Sequence, residues 1–447
     1  MARMPHTIVD AVTAVKQHGL RLPMPEMITA VCRTLGQRWR RGPLDPFNTV
    51  IVFLIQILHG NTACAHACRL SGLNVTASAY CQARRRLPLR LFAMLFTRLV
   101  DELLTSTAQT AHWLGHRVFL IDGSSFSMPD TPALQNHFGQ PRGQRAGCGF
   151  PVAHLVALCD LTTGLVIDLI ASPLYSGDLT QGVRTHRTLH AGDVIVGDRQ
   201  FGTWGYLALV FQQNLHAVVR AHQRLQLSFS PRLRWHRRGT YCRLYFLSRD
   251  DQVIEWFKPE YRPAWMSAAL YERLPPSILV RNIRYTIVRR GFRTTHVTLL
   301  TTLTDHERYA PEAIAELYGR RWEIETNFRD LKETMGMRTL HCRTVEGVQK
   351  EMYMYAIAYN LVRMMRHGAA QRQAVKARRV SFIDALRALR QMMLPRGAIG
   401  RTPHLTINPY RPGRAEPRLV KRRRQRHYLT TPRAAARKRL YSQPLAA

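Results

Sequence analysis

Two short apolar runs that each close on an aspartate constrain the fold of this chain most: HRVFLIDG, with Asp122, and DVIVGD, ending at Asp198. Apolar runs of about 4–8 residues between turn residues read as buried strands. Around them, HLVALCDL and GLVIDLIA read as two strands joined near Thr162-Thr163-Gly164. The polar stretch from Asp178 to His190 reads as a helix, WGYLALVFQQN as another, and HAVVRA as a strand. Three strands, helix, strand, helix, strand predicts a mixed sheet covered by helices. Acids at the carboxyl ends of neighbouring strands converge on one sheet edge, where oxygen ligands can share divalent ions. Taken singly, either aspartate reads more readily as a turn residue.

The segments on either side have other periods. Residues 1 to about 108 read as helices punctuated by Gly, Asn and Pro. Within them, NTACAHACRLSGL and NVTASAYCQARRRLP predict a helix, a turn at Ser71-Gly72 and a second helix stopped by Pro88. The second helix carries Gln82, Arg84, Arg85 and Arg86. The pair is either a helix-turn-helix reading DNA through Arg84 and Arg85, or an ordinary hairpin with a solvated basic face. Residues 222 to about 303 hold strand-like runs between Arg-, Gly- and Pro-bearing turns, a β-rich insertion. In TVEGVQKEMYMYAIAYNLVRMMRHG, residues Val348, Met352, Tyr355, Tyr359 and Val362 recur at helical spacing and read as core. From Arg401 to Ala447 there are 13 Lys and Arg against one acid, Glu416, which predicts an extended, solvated or DNA-contacting arm.

Composition narrows the partners. The chain has 65 Lys and Arg against 29 Asp and Glu, a net charge of +36. A globular chain this basic needs a polyanion, and nucleic acid supplies one because neutralising phosphates releases counterions. With 46% apolar residues a core can be buried, which excludes wholesale disorder and a collagen-like fibre. The longest apolar run, Val50 to Leu58, is too short for a bilayer and reads as a buried helix. The first twenty residues lack the apolar core of a secretion signal. Cys64 and Cys68 lack the second ligand pair of a structural zinc site, so the thiols read as reduced and the protein as cytoplasmic.

A third element carries more chemistry. A helix is predicted from Pro311, with Pro at its first position, Glu312 in its first turn and Gly336 past its end. On a wheel of about 100° per residue, Tyr318, Arg321, Glu325 and Lys332 share a face roughly 60° wide. Leu317, Ile324, Phe328, Leu331 and Met335 form the apolar stripe beside it. A surface Arg321–Glu325 pair explains two of the four polar residues but not the Tyr and Lys. Phosphodiester chemistry wants such a set: two divalent ions about 3.5–4 Å apart flank the scissile phosphate. Three carboxylates can hold them while Arg and Lys neutralise neighbouring phosphates.

Tyr318-x2-Arg321-x3-Glu325-x6-Lys332, within YGRRWEIETNFRDLK, resembles the Tyr-Arg-Glu-Lys signature of bacterial DDE transposases of insertion-sequence family four. FLIDGSSF resembles that family's first acidic motif and VGDRQFG its second, and the similarity spans roughly residues 110–370. The resemblance implies an α/β fold: a ribonuclease H-like mixed-sheet core interrupted by a β-rich insertion, with an N-terminal helical domain and a basic C-terminal tail. The 127 positions between Asp198 and Glu325 exceed what one crossover needs, so length alone also asks for an insertion. The expected division is 1–108 helical and DNA-binding, 109–221 first part of the catalytic domain, 222–303 insertion, 304–370 remainder with the acidic helix, and 371–447 basic region.

Carried over by the same resemblance, Asp122, Asp198 and Glu325 are the catalytic metal ligands for two Mg²⁺ ions, with Mn²⁺ able to substitute. Tyr318, Arg321 and Lys332 position DNA. A Trp of the insertion, Trp256 or Trp265, would hold a flipped base. The expected partners are double-stranded DNA, as transposon ends and target, and a second copy of the chain. No membrane role is expected, and the protein is expected at the bacterial nucleoid. The rivals are a nuclease of the same fold that cuts without joining, and a non-catalytic DNA-binding protein.

Overall fold

The computed structural model describes residues 24–39, 42–106, 112–232, 240–287, 295–394, 405–409, 431–432, 434–435 and 438–439. Helices come first: α1 (Met24–Thr34), α2 (Pro46–Leu58), α3 (Cys64–Ser71), α4 (Ala77–Arg86) and α5 (Leu89–Ser106). Strand β1 (Val118–Ser127), helix α6 (Pro132–Phe138), strands β2 (Val152–Asp160) and β3 (Val166–Pro173) and helix α7 (Asp178–Thr185) follow. Next come β4 (Val194–Gly197), α8 (Trp204–Gln212), β5 (His216–Arg220), β6 (Tyr241–Ser248) and β7 (Asp251–Phe257). The chain continues with α9 (Ala268–Glu272), β8 (Ser277–Ile287), β9 (Thr295–Thr301), α10 (Pro311–Gly319), α11 (Trp322–Arg329), α12 (Val345–Arg372) and α13 (Phe382–Met392). It forms two compact units: 1–108 with 125–154 and 329–447, and 109–124 with 155–328.

The second unit is built on a mixed sheet in the order β3-β2-β1-β4-β5-β9-β8-β7-β6. β1, β4 and β5 run parallel, and β9 pairs antiparallel with β5. The strand–helix alternation predicted from the apolar runs is therefore present. The strands of the expected insertion pair on the free edge of β5 through Val219 and Leu300 and extend the same sheet. An unpaired edge leaves backbone groups without partners, and this pairing satisfies them. Inside the extension, Arg281 is fully buried and pairs with Asp251 at 2.5 Å. Its Nη1 donates to the Tyr309 carbonyl at 2.6 Å, tying β8 to the turn that leads into α10.

The first unit is helical. Asp45 caps α2 by accepting from the Asn48 N–H, Pro46 takes the first position, and all thirteen residues of α2 are buried, as expected for its apolar run. Gly72 closes α3 with φ 70°, a left-handed conformation that suits glycine. In α12 the residues Val348, Met352, Tyr355, Tyr359 and Val362 are all buried, as their spacing predicts. Glu351 in the same helix accepts from the backbone N–H groups of His341 and Cys342. No described helix is long and apolar enough to cross a membrane. The tail expectation on KRRRQR, 421–426, lies outside the described residues.

Candidate active site

Register brings the strand-end residues to one level. Leu120 of β1 pairs with Val196 of β4, and Val196 with Val218 of β5. Two residues further on stand Asp122, Asp198 and Arg220. Side chains repeat with period two along a strand, so each lies on the face of the paired residue before it. Contrary to the expectation from sequence, Asp122 does not end its strand: β1 continues to Ser127, and only its pairing with β4 stops at Leu120. Asp198 does end β4, and its carboxylate accepts from the Gln200 N–H at 2.8 Å, capping a short 3-10 turn. Gly197 and Gly202 allow that turn. A Cβ at 197 would sit 2.9 Å from the Phe201 ring, and one at 202 would fall on the Arg220 carbonyl oxygen.

The signature segment is not the single helix expected from its wheel. α10 ends at Gly319, α11 starts at Trp322, and Asp330–Thr334 is a π-helical turn. A wheel at constant pitch fails across such breaks, because a π turn rotates less per residue. Arg321, at the junction, joins two acids far apart in sequence. Its Nη1 lies 3.4 Å from Asp122 Oδ2 and its Nη2 3.0 Å from Glu325 Oε1. The side chain is only 12% exposed, against 20% for Asp122 and 41% for Glu325. Burial pushes the Asp122 carboxyl up to about 6, and Asp198 and Glu325 add to the rise, while the Gly123 N–H and Arg321 oppose it. Burial also raises Asp198, with Asp178 at the start of α7 acting in the same direction. Tyr318 is raised by burial and feels Arg321, Arg220 and Asp198.

The donor set suits a hard divalent cation: three carboxylates, two with ionisation made costly by burial and by neighbouring carboxylates. Among the described residues no group of three or more His, Cys, Asp and Glu is arranged to hold a metal as it stands. Arg321, bonded to both Asp122 and Glu325, stands where a shared cation would have to act. Sequence reasoning missed Arg220, Asp178 and Tyr285, which joins the Tyr318, Arg220 and Arg321 neighbourhood. The signal for Arg220 was present, since HAVVRA is a strand closing on a charged residue beside VIVGD.

Other expected residues fall elsewhere. Arg84 is a correction: its guanidinium lies 4.6 Å from the Phe53 ring centroid and donates to Gln56 Oε1 at 2.9 Å, so it belongs to the packing of the helical unit. Arg85 is exposed. Lys332 belongs to the helical unit, in the π turn, half-buried, with burial and then Arg338 lowering its ammonium. Trp256 is buried and its carbonyl accepts from Trp204, which removes it as a base-holding residue. Trp265 is half-buried. Trp322, which the sequence reading did not single out, is 61% exposed beside the Arg321 guanidinium.

A family model described as Transposase DDE domain matches residues 113–361. The transposase InsG for insertion sequence element IS4 of Escherichia coli (strain K12) is 26% identical over 422 residues, covering 90% of this chain and 86% of that protein. Among solved structures, the piggyBac transposase synaptic complex with hairpin DNA aligns at a TM-score of 0.44 and 11% identity, over 88% of this chain and 82% of that one. That last likeness is too low to bear on fold or partner. The family match spans more than half of the chain and contains Asp122, Asp198 and Glu325, so the chain belongs to the transposase DDE domain family and is a DNA transposase.

Proposed function

We propose that Asp122, Asp198 and Glu325 hold two Mg²⁺ ions in the transposition reaction, with Mn²⁺ able to replace them. The observation that carries this is the shared level of Asp122 and Asp198 on adjacent parallel strands, with Glu325 joined to Asp122 through Arg321. Divalent metal in this family activates the attacking oxygen and neutralises the phosphate. The chain's own residues do the rest. The three carboxylates would hold the ions on a rigid sheet edge, and Arg321, beside Asp122 and Glu325, would neutralise a phosphate oxygen. Tyr318 donates its O–H to the DNA backbone, and Lys332 and Arg85 add phosphate contacts.

The sheet is read as a ribonuclease H-like core extended by the inserted strands, with residues 1–108 as the end-binding domain and 371–447 as a basic region. Two chains would bring two transposon ends together. A pre-cleaved end bearing a free 3′-hydroxyl, incubated with target plasmid and Mg²⁺, should give joined product. Asp198→Ala should abolish joining, and Ca²⁺, looser in geometry, should permit binding without it. Cleavage without joined product would identify a nuclease instead.

A further inference from the structure

We propose that Cys64 and Cys81 form a thiol pair that a low-molecular-weight disulfide, such as oxidised glutathione, converts into a disulfide tying α3 to α4. Cys64 opens α3 and Cys81 lies in the middle of α4, and their Sγ atoms stand 3.3 Å apart. Both are half-buried, within reach of a small reagent, whereas Cys68, one turn along α3, is buried. The inference stands independently of the transposase site.

The surroundings favour exchange. Arg84 is fixed by the Phe53 ring and Gln56, and the ionisable groups around its guanidinium are Cys342, Tyr80, Cys64 and Cys81, none of them a carboxylate. A fixed cation facing a thiol pair favours thiol–disulfide exchange there. At Cys81, burial works the other way, lifting the thiol to about 11, helped by its contact with Cys64. The raised Cys81 thiol is therefore the resolving group, which leaves Cys64 to attack.

Cys64 gives its proton to solvent, and its thiolate attacks one sulfur of oxidised glutathione. That S–S bond breaks, and the first glutathione leaves as a thiolate and takes up a proton. Cys81, deprotonated in turn, attacks the Cys64 sulfur of the mixed disulfide, and the second glutathione leaves and is protonated. Two protein thiols are oxidised, one small disulfide is reduced to two thiols, and the proton count is unchanged. The new bond closes the segment that turns at Gly72 and so restricts the unfolded hairpin.

The test uses the full chain, equilibrated without denaturant in defined mixtures of reduced and oxidised glutathione. Remaining thiols are then alkylated and peptides mapped by fragmentation without reductant. One Cys64–Cys81 link is expected, with Cys68 and Cys342 alkylated and full reversal by dithiothreitol. The transition should vanish in Cys81→Ser, and in Cys81→Ala should the serine variant misfold, and persist in Cys342→Ser. Free thiols across the whole range, a link from Cys64 to Cys68 or Cys342, or stoichiometric zinc released on oxidation would each overturn the proposal.

Discussion

Arg321 is bonded to two of the three acids at once, with little solvent to screen it. A divalent cation shared by those acids would compete with it for their oxygens. Arg321→Ala should therefore tighten Mn²⁺ binding in the absence of DNA by roughly tenfold, about the worth of one charge-assisted hydrogen bond. Cleavage should fall in the same variant. Mn²⁺ titration followed by electron paramagnetic resonance checks the first part, and unchanged or weaker binding would contradict it. A second residue sets a pH dependence. His186 is buried, donating through Nδ1 to Gln213 Oε1 and accepting through Nε2 from the Tyr206 hydroxyl. Burial lowers its pKa to about 4, with Gln213 opposing. Its folded pKa lies below the ordinary value near 6.5, so between those values the unfolded chain binds a proton that the folded chain refuses. Stability should fall as pH drops from about 6.5 to about 4 by on the order of 3 kcal/mol, then level off for this group. Urea midpoints across that range should flatten in His186→Gln. The candidate acids were legible because each sits in a local pattern, an apolar strand or a helical stripe. Arg84 was not, because its burial depends on Phe53 and Gln56, presented by another helix. Arg321's double bond to Asp122 and Glu325 was hidden for the same reason, since it joins residues distant in sequence.

Among the elements, β7 and β8 hold the extension of the sheet to the turn before α10 through one buried ion pair. Arg281 is fully enclosed and Asp251 nearly so. Removing one partner leaves a buried charge, so Asp251→Ala should destabilise the second unit by about 3–5 kcal/mol, read as a loss in urea midpoint. Replacing both residues with apolar ones of similar volume should recover much of that loss, and an equal loss in the double variant would contradict the buried-charge explanation. The strands of this region were legible one by one from their apolar runs. That they extend the central sheet was not, because the pairing of Val219 with Leu300 depends on a free edge no local pattern records. The break between α10 and α11 was equally hidden, and it voids the constant-pitch wheel that first grouped Tyr318 with Lys332.

At the level of the whole molecule, the charge of +36 makes DNA affinity a salt-dependent quantity. Each phosphate contact contributes a slope of about −0.9 in log K against log salt. Deleting residues 415–447 should weaken binding about equally on transposon ends and on random duplex and flatten that slope. An unchanged slope would assign the affinity to the remaining basic residues instead. Affinity spread over many cations separates binding from chemistry, which the proposed site places on three carboxylates. The most direct measurement compares end cleavage and end binding by the same Glu325→Gln preparation, freed of host nuclease. The site predicts that cleavage disappears while binding stays within a few-fold, and that Asp122→Asn and Asp198→Asn behave alike, since members of one catalytic unit are not additive. Robust cleavage by the Glu325→Gln protein would contradict the assignment of these three acids as the catalytic centre.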